Sequence, residues 1–513
     1  MSERLTYTSG AFDEALHKEF EECLARLRSA VPEPFTHLIA GESCAEGGLF
    51  ERRDPSDMAG HVGYAHTAGA ETVARAVQAA RGAQREWART PHRERCAHMR
   101  AVAAAIGHRH IELAAVVSLE TGKTRAESIA EVQEAIDLIH TYCDAIEAAD
   151  GFTSPLVSPT ASEHNFETLR PYGVFGVIVP FNFPVALAVN MLSAALVAGN
   201  TVVVKPSEVT PWTGSLLGEA MSDGGLPRGV FNLVHGGPET GQALVAGDVD
   251  GIAFTGSVPV GREIARALSG GRWARPVLAE MGGKNPAIVT VNADLEKAAE
   301  GVARAAFGLS GQKCSACSRV LVLKEVYEEF LERVCAFTGT LAVGDPSDRN
   351  SALGPVVDEQ AVMRFDESAT SARRDGVIAV GGRRIELDGY FVEPTVVCDL
   401  PVAHPLTRRE LFLPFLTVER ADSLGSAIAE ANAVEYGLSA GIFSEVEAEV
   451  EEFFDCIQAG VLYVNRRAGA TTGAWPGSQS FCGWKASGLT GKGGLGPYYL
   501  PQFMREQSRT IVR

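Results

Sequence analysis

The sequence predicts an α/β protein, a doubly wound parallel sheet followed by a second α/β unit. Two observations carry that prediction. After residue 170 short β-branched runs alternate strictly with helical stretches, in the order VFGVIVP, LAVNMLSAALVAG, TVVVKPS, a helix, VFNLV and GIAFTG. Such alternation gives parallel strands joined by crossover helices, the build of a nucleotide-binding unit. From residue 285 the pattern starts again with NPAIVTV and the helical DLEKAAEGVARAAF, so a second α/β unit follows the first. A chain of 513 residues also exceeds what one core normally serves, and two or three domains are expected.

Taken in order, residues 72–150 are alanine-rich, with apolar positions recurring every three and four residues through AVQAARGAQREWA and MRAVAAAIGHRHIELAAVVSLETG. That is the spacing of helices laid over a sheet. His108 and His110 would point apart on such a helix and read as a solvated face rather than a metal site. Residues 151–170, GFTSPLVSPTASEHNFETLR, break the helical pattern with proline, serine and alternating residues. In the second unit Asp294 is expected to cap a helix whose apolar face is Leu295, Ala298, Val302 and Ala305. That helix leads directly to the loop SGQKCSACSR at 310–319.

Composition narrows the partners. The formal charge of −18 and pI near 5.2 argue against nucleic acid or an anionic membrane as the main partner. Hydrophobic content of 46% against 21% charged is that of a packed globular protein. The first twenty residues carry acids where an export signal needs an unbroken apolar run. The apolar stretch 185–198 is interrupted by Asn190 and follows Pro184, so it is too short and too polar to span a bilayer. With ten cysteines spread along the chain, these features predict a cytoplasmic protein with reduced thiols.

Cys314 has the small, polar, glycine-containing neighbours that suit an accessible thiolate. The Cys314-x-x-Cys317 spacing alone also admits zinc or dithiol chemistry. Zinc, however, needs a second pair or histidines at suitable spacing nearby, and a redox pair needs a helix N-terminus where this one precedes the strand SRVLVL. VIVPFNFP at 177–184 can supply the amide of Asn182. LAEMGGKNP at 278–286 supplies the carboxylate of Glu280 after an apolar strand end, with two glycines that let the backbone pass close to another group. ELFLPF at 410–415 supplies Glu410 two positions before Phe412. AFTGSVPVG at 253–261 is a strand followed by Gly256, Ser257 and Gly261 at a helix start, where N–H groups can meet a pyrophosphate. GKGGLG at 491–496 fits a GxGxxG string but has no preceding strand and reads as a surface loop.

From about residue 50 onward these motifs, in this order and spacing, resemble the aldehyde dehydrogenase superfamily. GQKCSACSR, PFNF and TTGAWPGSQSF at 471–481 are most similar to one of its groups, the 1-pyrroline-5-carboxylate dehydrogenases. The resemblance implies NAD-dependent oxidation of glutamate γ-semialdehyde to glutamate. It places an NAD-binding domain at 1–150 and 171–284, a catalytic domain at 285–482, and a small β oligomerisation element at 151–170 and 483–513. A homodimer or higher homo-oligomer follows.

By the same resemblance Cys314 is the nucleophile, Asn182 an oxyanion donor and Glu280 the base that activates water. Lys205, Ser207 and Glu208 of KPSE, Gly256, Ser257, Gly261, Glu410 and Phe412 hold the dinucleotide, the acid at 208 favouring NAD over NADP. Ser315 and the N–H groups of Gly473 and Ala474 anchor the substrate carboxylate between Phe183 and Phe481. The chain departs from the family at Leu413, Ser480 and Cys482, and has Met191 where many relatives carry a lysine. Oxidation of another aldehyde, or a non-catalytic protein of the same fold, are the alternatives. No metal is implied.

Overall fold

The computed structural model describes residues 6–7, 14–30, 32–467 and 475–513. Two seven-stranded sheets organise them. In the first, five strands run parallel in the spatial order Val277–Met281, Gly251–Gly256, Val174–Ile178, Thr201–Lys205 and Phe231–Leu233. The short antiparallel strands His37–Ile39 and Glu42–Cys44 extend its edge. The strand Thr201–Lys205 is buried along its whole length, as a parallel strand covered on both faces must be. Val174–Ile178 is the first of the five in the chain. Its successors run outward on one side and then resume on the other, so a topological switch lies between Val174–Ile178 and Gly251–Gly256. In open α/β sheets ligands bind at the carboxyl ends beside such a switch.

Helix Ala186–Ala198 is mostly apolar and is buried except at Leu187, so it serves as a core element under this sheet. The alanine-rich stretch forms four helices, Ala70–Trp87, His92–His108, His110–Thr121 and Arg125–Ala148. The expectation that His108 and His110 share one helix is corrected: two helices meet at Arg109 with a bend of 69°. His110 Nε2 lies 2.8 Å from the Ile129 carbonyl, a half-buried contact rather than a solvated face. Among the described residues no single helix is long and apolar enough to cross a membrane.

The second sheet has the order Val377–Val380, Thr395–Cys398, Phe415–Ala421, Cys317–Leu323, Asn285–Val289, Ser439–Phe443 and Val461–Val464, parallel except at Val377–Val380. The capped helix between Asn285–Val289 and Cys317–Leu323 is Leu295–Phe307, with the Lys297 N–H donated to Asp294 Oδ1 at 3.0 Å. Ala298, Val302 and Ala305 are buried on its inner face and Leu295 packs against that core.

Residues 151–170 fold into a separate ribbon. Glu163–Pro171 pairs antiparallel with Met504–Val512 along its full length, and Thr153–Pro155 adds a third strand. Asn200 ties the ribbon to the first sheet, donating Nδ2–H to the Phe503 carbonyl at 2.9 Å while its oxygen accepts the Gly173 N–H at 2.9 Å.

Candidate active site

The helix Leu295–Phe307 stops at Gly308, and the next three residues, Leu309, Ser310 and Gly311, all have φ between +50° and +70°. Two of them are not glycine, an unfavourable conformation that persists only where surroundings hold it. Glu127 accepts the Leu309 N–H at 2.9 Å, and the Ser310 hydroxyl donates to the Gly354 carbonyl at 2.7 Å. At Gly311 a Cβ would stand 2.1 Å from the Leu413 carbonyl, so only glycine fits. The loop then carries Cys314 into strand Cys317–Leu323. Asn285 Nδ2 donates to the carbonyls of Cys314 and Ala316, at 2.8 and 2.9 Å. The glycine pair before it is required by close approach. A Cβ on Gly282 would lie 1.9 Å from the Glu410 carboxylate, and one on Gly283 would lie 2.6 Å from the Cys314 carbonyl.

Cys314 lines two cavities. The larger, about 680 Å³, opens at the topological switch and takes in Asn182, Lys205, Ser207, Glu208, Gly256, Ser257, Glu410 and Phe412. The smaller, about 80 Å³, takes in Glu280, Ser315, Phe183 and Phe481. Gly261 lines neither. It sits one turn into helix Val258–Ser269, where a Cβ would meet Met281 Sδ at 2.4 Å, so its part is to let that helix close onto the sheet. Gly473 and Ala474 lie outside the described residues.

Charge is arranged around the cysteine. Burial pushes the Glu280 carboxyl up to about 7, the Gly494 N–H at 2.7 Å opposing the rise. Burial likewise carries Glu410 to about 7 against the Gly283 N–H at 3.0 Å. Burial, then the charges of Glu410 and Glu280, push the Cys314 thiol up to about 12. These effects favour the neutral thiol, so to attack as a thiolate Cys314 gives up its proton within the site. Cys317 is raised to about 12 by burial as well, but it is 1% exposed and packs in the core beside Tyr463. Asn182 is 3% exposed and donates one amide hydrogen to the Gln312 carbonyl at 3.0 Å, which orients the group.

The larger cavity fits a dinucleotide. Lys205 is buried with Glu208 Oε2 at 3.4 Å, an ammonium and a carboxylate at the carboxyl end of a strand. Helix Val258–Ser269 begins at Ser257 without a side-chain cap, so its first N–H groups remain for an anion. Phe412, at φ +59°, sets its ring edge-on to Phe181 at 5.8 Å between ring centres.

Some site groups carried no local signal. GKGGLG was expected on the surface, yet Gly493, Gly494 and Leu495 are buried and the segment lies against the site. Its Gly494 N–H holds Glu280, and its Leu495 N–H donates to the Tyr142 hydroxyl at 3.1 Å. Beneath Phe183 lies the fully buried Lys123–Glu131 pair, with the Lys123 ammonium 3.7 Å from the ring centre. Met191 Sδ accepts from the Thr255 hydroxyl at 3.8 Å. At the departure near 480, Cys482 Sγ lies 3.2 Å from the Gly460 carbonyl.

The pattern described as the aldehyde dehydrogenase family matches residues 43–508. The chain is 35% identical over 505 residues to a 1-pyrroline-5-carboxylate dehydrogenase from Geobacillus sp. (strain WCH70), covering 97% of this chain and 96% of that one. The solved 1-pyrroline-5-carboxylate dehydrogenase from Thermus with bound NAD superimposes with a TM-score of 0.94 at 32% identity, covering 100% of both chains. Proline utilization A from Bdellovibrio bacteriovorus superimposes with a TM-score of 0.94 at 33% identity, and this chain, covered in full, spans 54% of its length. The chain belongs to the aldehyde dehydrogenase family.

Proposed function

We propose that this protein oxidises glutamate γ-semialdehyde to glutamate with NAD as the hydride acceptor. The observation that carries the reading is that Cys314 borders both cavities, so one sulfur can face an aldehyde on one side and a dinucleotide on the other. The similarity to 1-pyrroline-5-carboxylate dehydrogenases over nearly the whole chain supports the substrate, and the NAD-bound Thermus enzyme supports the cofactor.

Cys314 gives its proton to water and its sulfur bonds to the aldehyde carbon. The amide of Asn182 and the backbone N–H of Cys314 stabilise the oxyanion of the resulting thiohemiacetal. The nicotinamide, when bound, accepts the hydride that leaves this carbon. What remains on Cys314 is a thioester. Glu280, poised near neutrality, takes a proton from water as the water oxygen adds to the thioester carbon, and the C–S bond then breaks to release the acid and the thiol. Lys205 and Glu208 hold the adenine ribose, the helix start at Gly256–Ser257 the pyrophosphate, and Glu410 and Phe412 the nicotinamide ribose and ring. Ser315 with Gly473 and Ala474 anchors the substrate carboxylate, and Phe183 and Phe481 flank its methylenes.

In this reading the first sheet and its helices form the NAD-binding domain and the second sheet the catalytic domain. The ribbon of Glu163–Pro171 and Met504–Val512 offers its edge to a second copy. The ten free cysteines support a reducing, cytoplasmic setting. The test is Cys314→Ala assayed for NADH formation across a panel of aldehydes. Loss of dehydrogenase activity with NAD binding retained is expected, and turnover close to the unmodified protein would overturn the reading.

A further inference from the structure

Tyr7 lies more than three hundred positions from Cys314 in sequence, yet both line the smaller cavity. Its ring stands edge-on to Phe183, with centres 6.0 Å apart and planes at 89°, and edge-on to Trp475 at 5.8 Å and 70°. Its hydroxyl donates to Glu134 Oε2 at 2.5 Å. Each neighbour is itself held. The Lys123 ammonium sits 3.7 Å from the centre of the Phe183 ring, and the Trp475 indole N–H donates to Asp137 Oδ2 at 2.9 Å. Cys314 borders both cavities whereas Tyr7 borders the smaller alone, so Tyr7 stands on the side away from the dinucleotide space.

We propose that Tyr7 is a specificity-determining residue whose ring closes the aldehyde cavity and sets the longest aldehyde that Cys314 accepts. The proposal rests on the aldehyde-oxidising activity inferred above. A cavity of about 80 Å³, set against about 680 Å³ on the dinucleotide side, leaves room for a short chain only. An aldehyde carbon placed at Cys314 directs its tail toward the Phe183 wall and Tyr7. The aromatic trio is pinned by a hydrogen bond or a cation at each member, so the tail cannot push it aside without breaking one of them. The ring does the excluding and the hydroxyl anchors the ring.

The test measures kcat/KM along straight-chain aldehydes from propanal to octanal for the unmodified protein, Tyr7→Phe and Tyr7→Ala. Removing the ring should raise the octanal-to-propanal ratio by about tenfold or more, the scale on which relieving overpacking acts. Tyr7→Phe keeps the ring but frees it from Glu134, so its octanal-to-propanal ratio should lie between those of the unmodified protein and Tyr7→Ala. Should Tyr7→Ala fold poorly, as judged by the KM for NAD, Tyr7→Leu reads the same ratio. A Tyr7→Ala or Tyr7→Leu profile that superimposes on the unmodified one overturns this role while leaving the activity standing. No aldehyde turnover by the unmodified protein would overturn the activity itself.

Discussion

The side-chain amide of Asn285 holds the Cys314 carbonyl at 2.8 Å, while its own oxygen accepts the Ser439 N–H at 2.9 Å. One side chain thus ties the cysteine loop to two strands of the second sheet and fixes which way the Cys314 peptide faces. Replacing Asn285 by alanine leaves the carbonyls of Cys314 and Ala316 without this donor, at a cost of about 1–3 kcal/mol for each one left unsatisfied. Because small misplacements of a reacting group are expensive, kcat should fall by about ten- to a hundredfold. Affinity for NAD, read by calorimetric titration, should stay within about threefold.

The base role proposed for Glu280 predicts a pH dependence. Glu280 accepts a proton only as a carboxylate, and burial has carried it to about 7, so thioester hydrolysis should weaken as pH falls through 7 and level off above it. Stopped-flow measurement of Glu280→Gln should show a burst of NADH followed by slow turnover, with that pH limb lost. The same substitution removes a charge that raises the Cys314 thiol. The midpoint for alkylation of Cys314 should therefore move to lower pH.

The role proposed for Glu208 in cofactor choice predicts a change in the NAD to NADP ratio. Glu208 stands half-exposed beside the buried Lys205 ammonium, where the 2′-phosphate of NADP would meet a like charge. Glu208→Gln should narrow the ratio of kcat/KM for NAD over NADP by about tenfold. Equal kcat/KM for the two dinucleotides in the unmodified protein would remove Glu208 from that role.

Ser315 tests the carboxylate anchor. A hydrogen bond to a charged group is worth about 1.5–3 kcal/mol, so Ser315→Ala should raise KM for glutamate semialdehyde by about tenfold or more. Propanal, which has no carboxylate, should respond by less than about twofold. An equal response from both would detach the substrate assignment from the family assignment.

Much of this site was legible because its chemistry travels in short contiguous motifs. The cysteine loop, the amide of Asn182 and the carboxylate of Glu280 each sit at a strand end or a turn that the local pattern announces. The paired glycines at 282 and 283 were readable as a close approach, though not what they approach, which is Glu410 and the Cys314 carbonyl. The remainder depends on tertiary contact. Gly494 reaches Glu280 across 214 positions, and Tyr7 reaches Glu134 across 127, and no local periodicity encodes either meeting. The high thiol value of Cys314 was hidden for the same reason, since its polar sequence neighbours say nothing of the burial and of the two carboxyls that the fold brings to it.

The ribbon has a consequence for the order in which the molecule is made. Val512 pairs with Glu163, so the strand at 163–171 emerges from the ribosome long before its partner exists. During that interval its inner edge is unpaired, which exposes it to other nascent chains and to chaperones. Asn200 likewise waits for Phe503 to arrive. The first sheet, whose strands all lie before residue 282, can thus assemble early, while the ribbon is completed only when synthesis has passed residue 512.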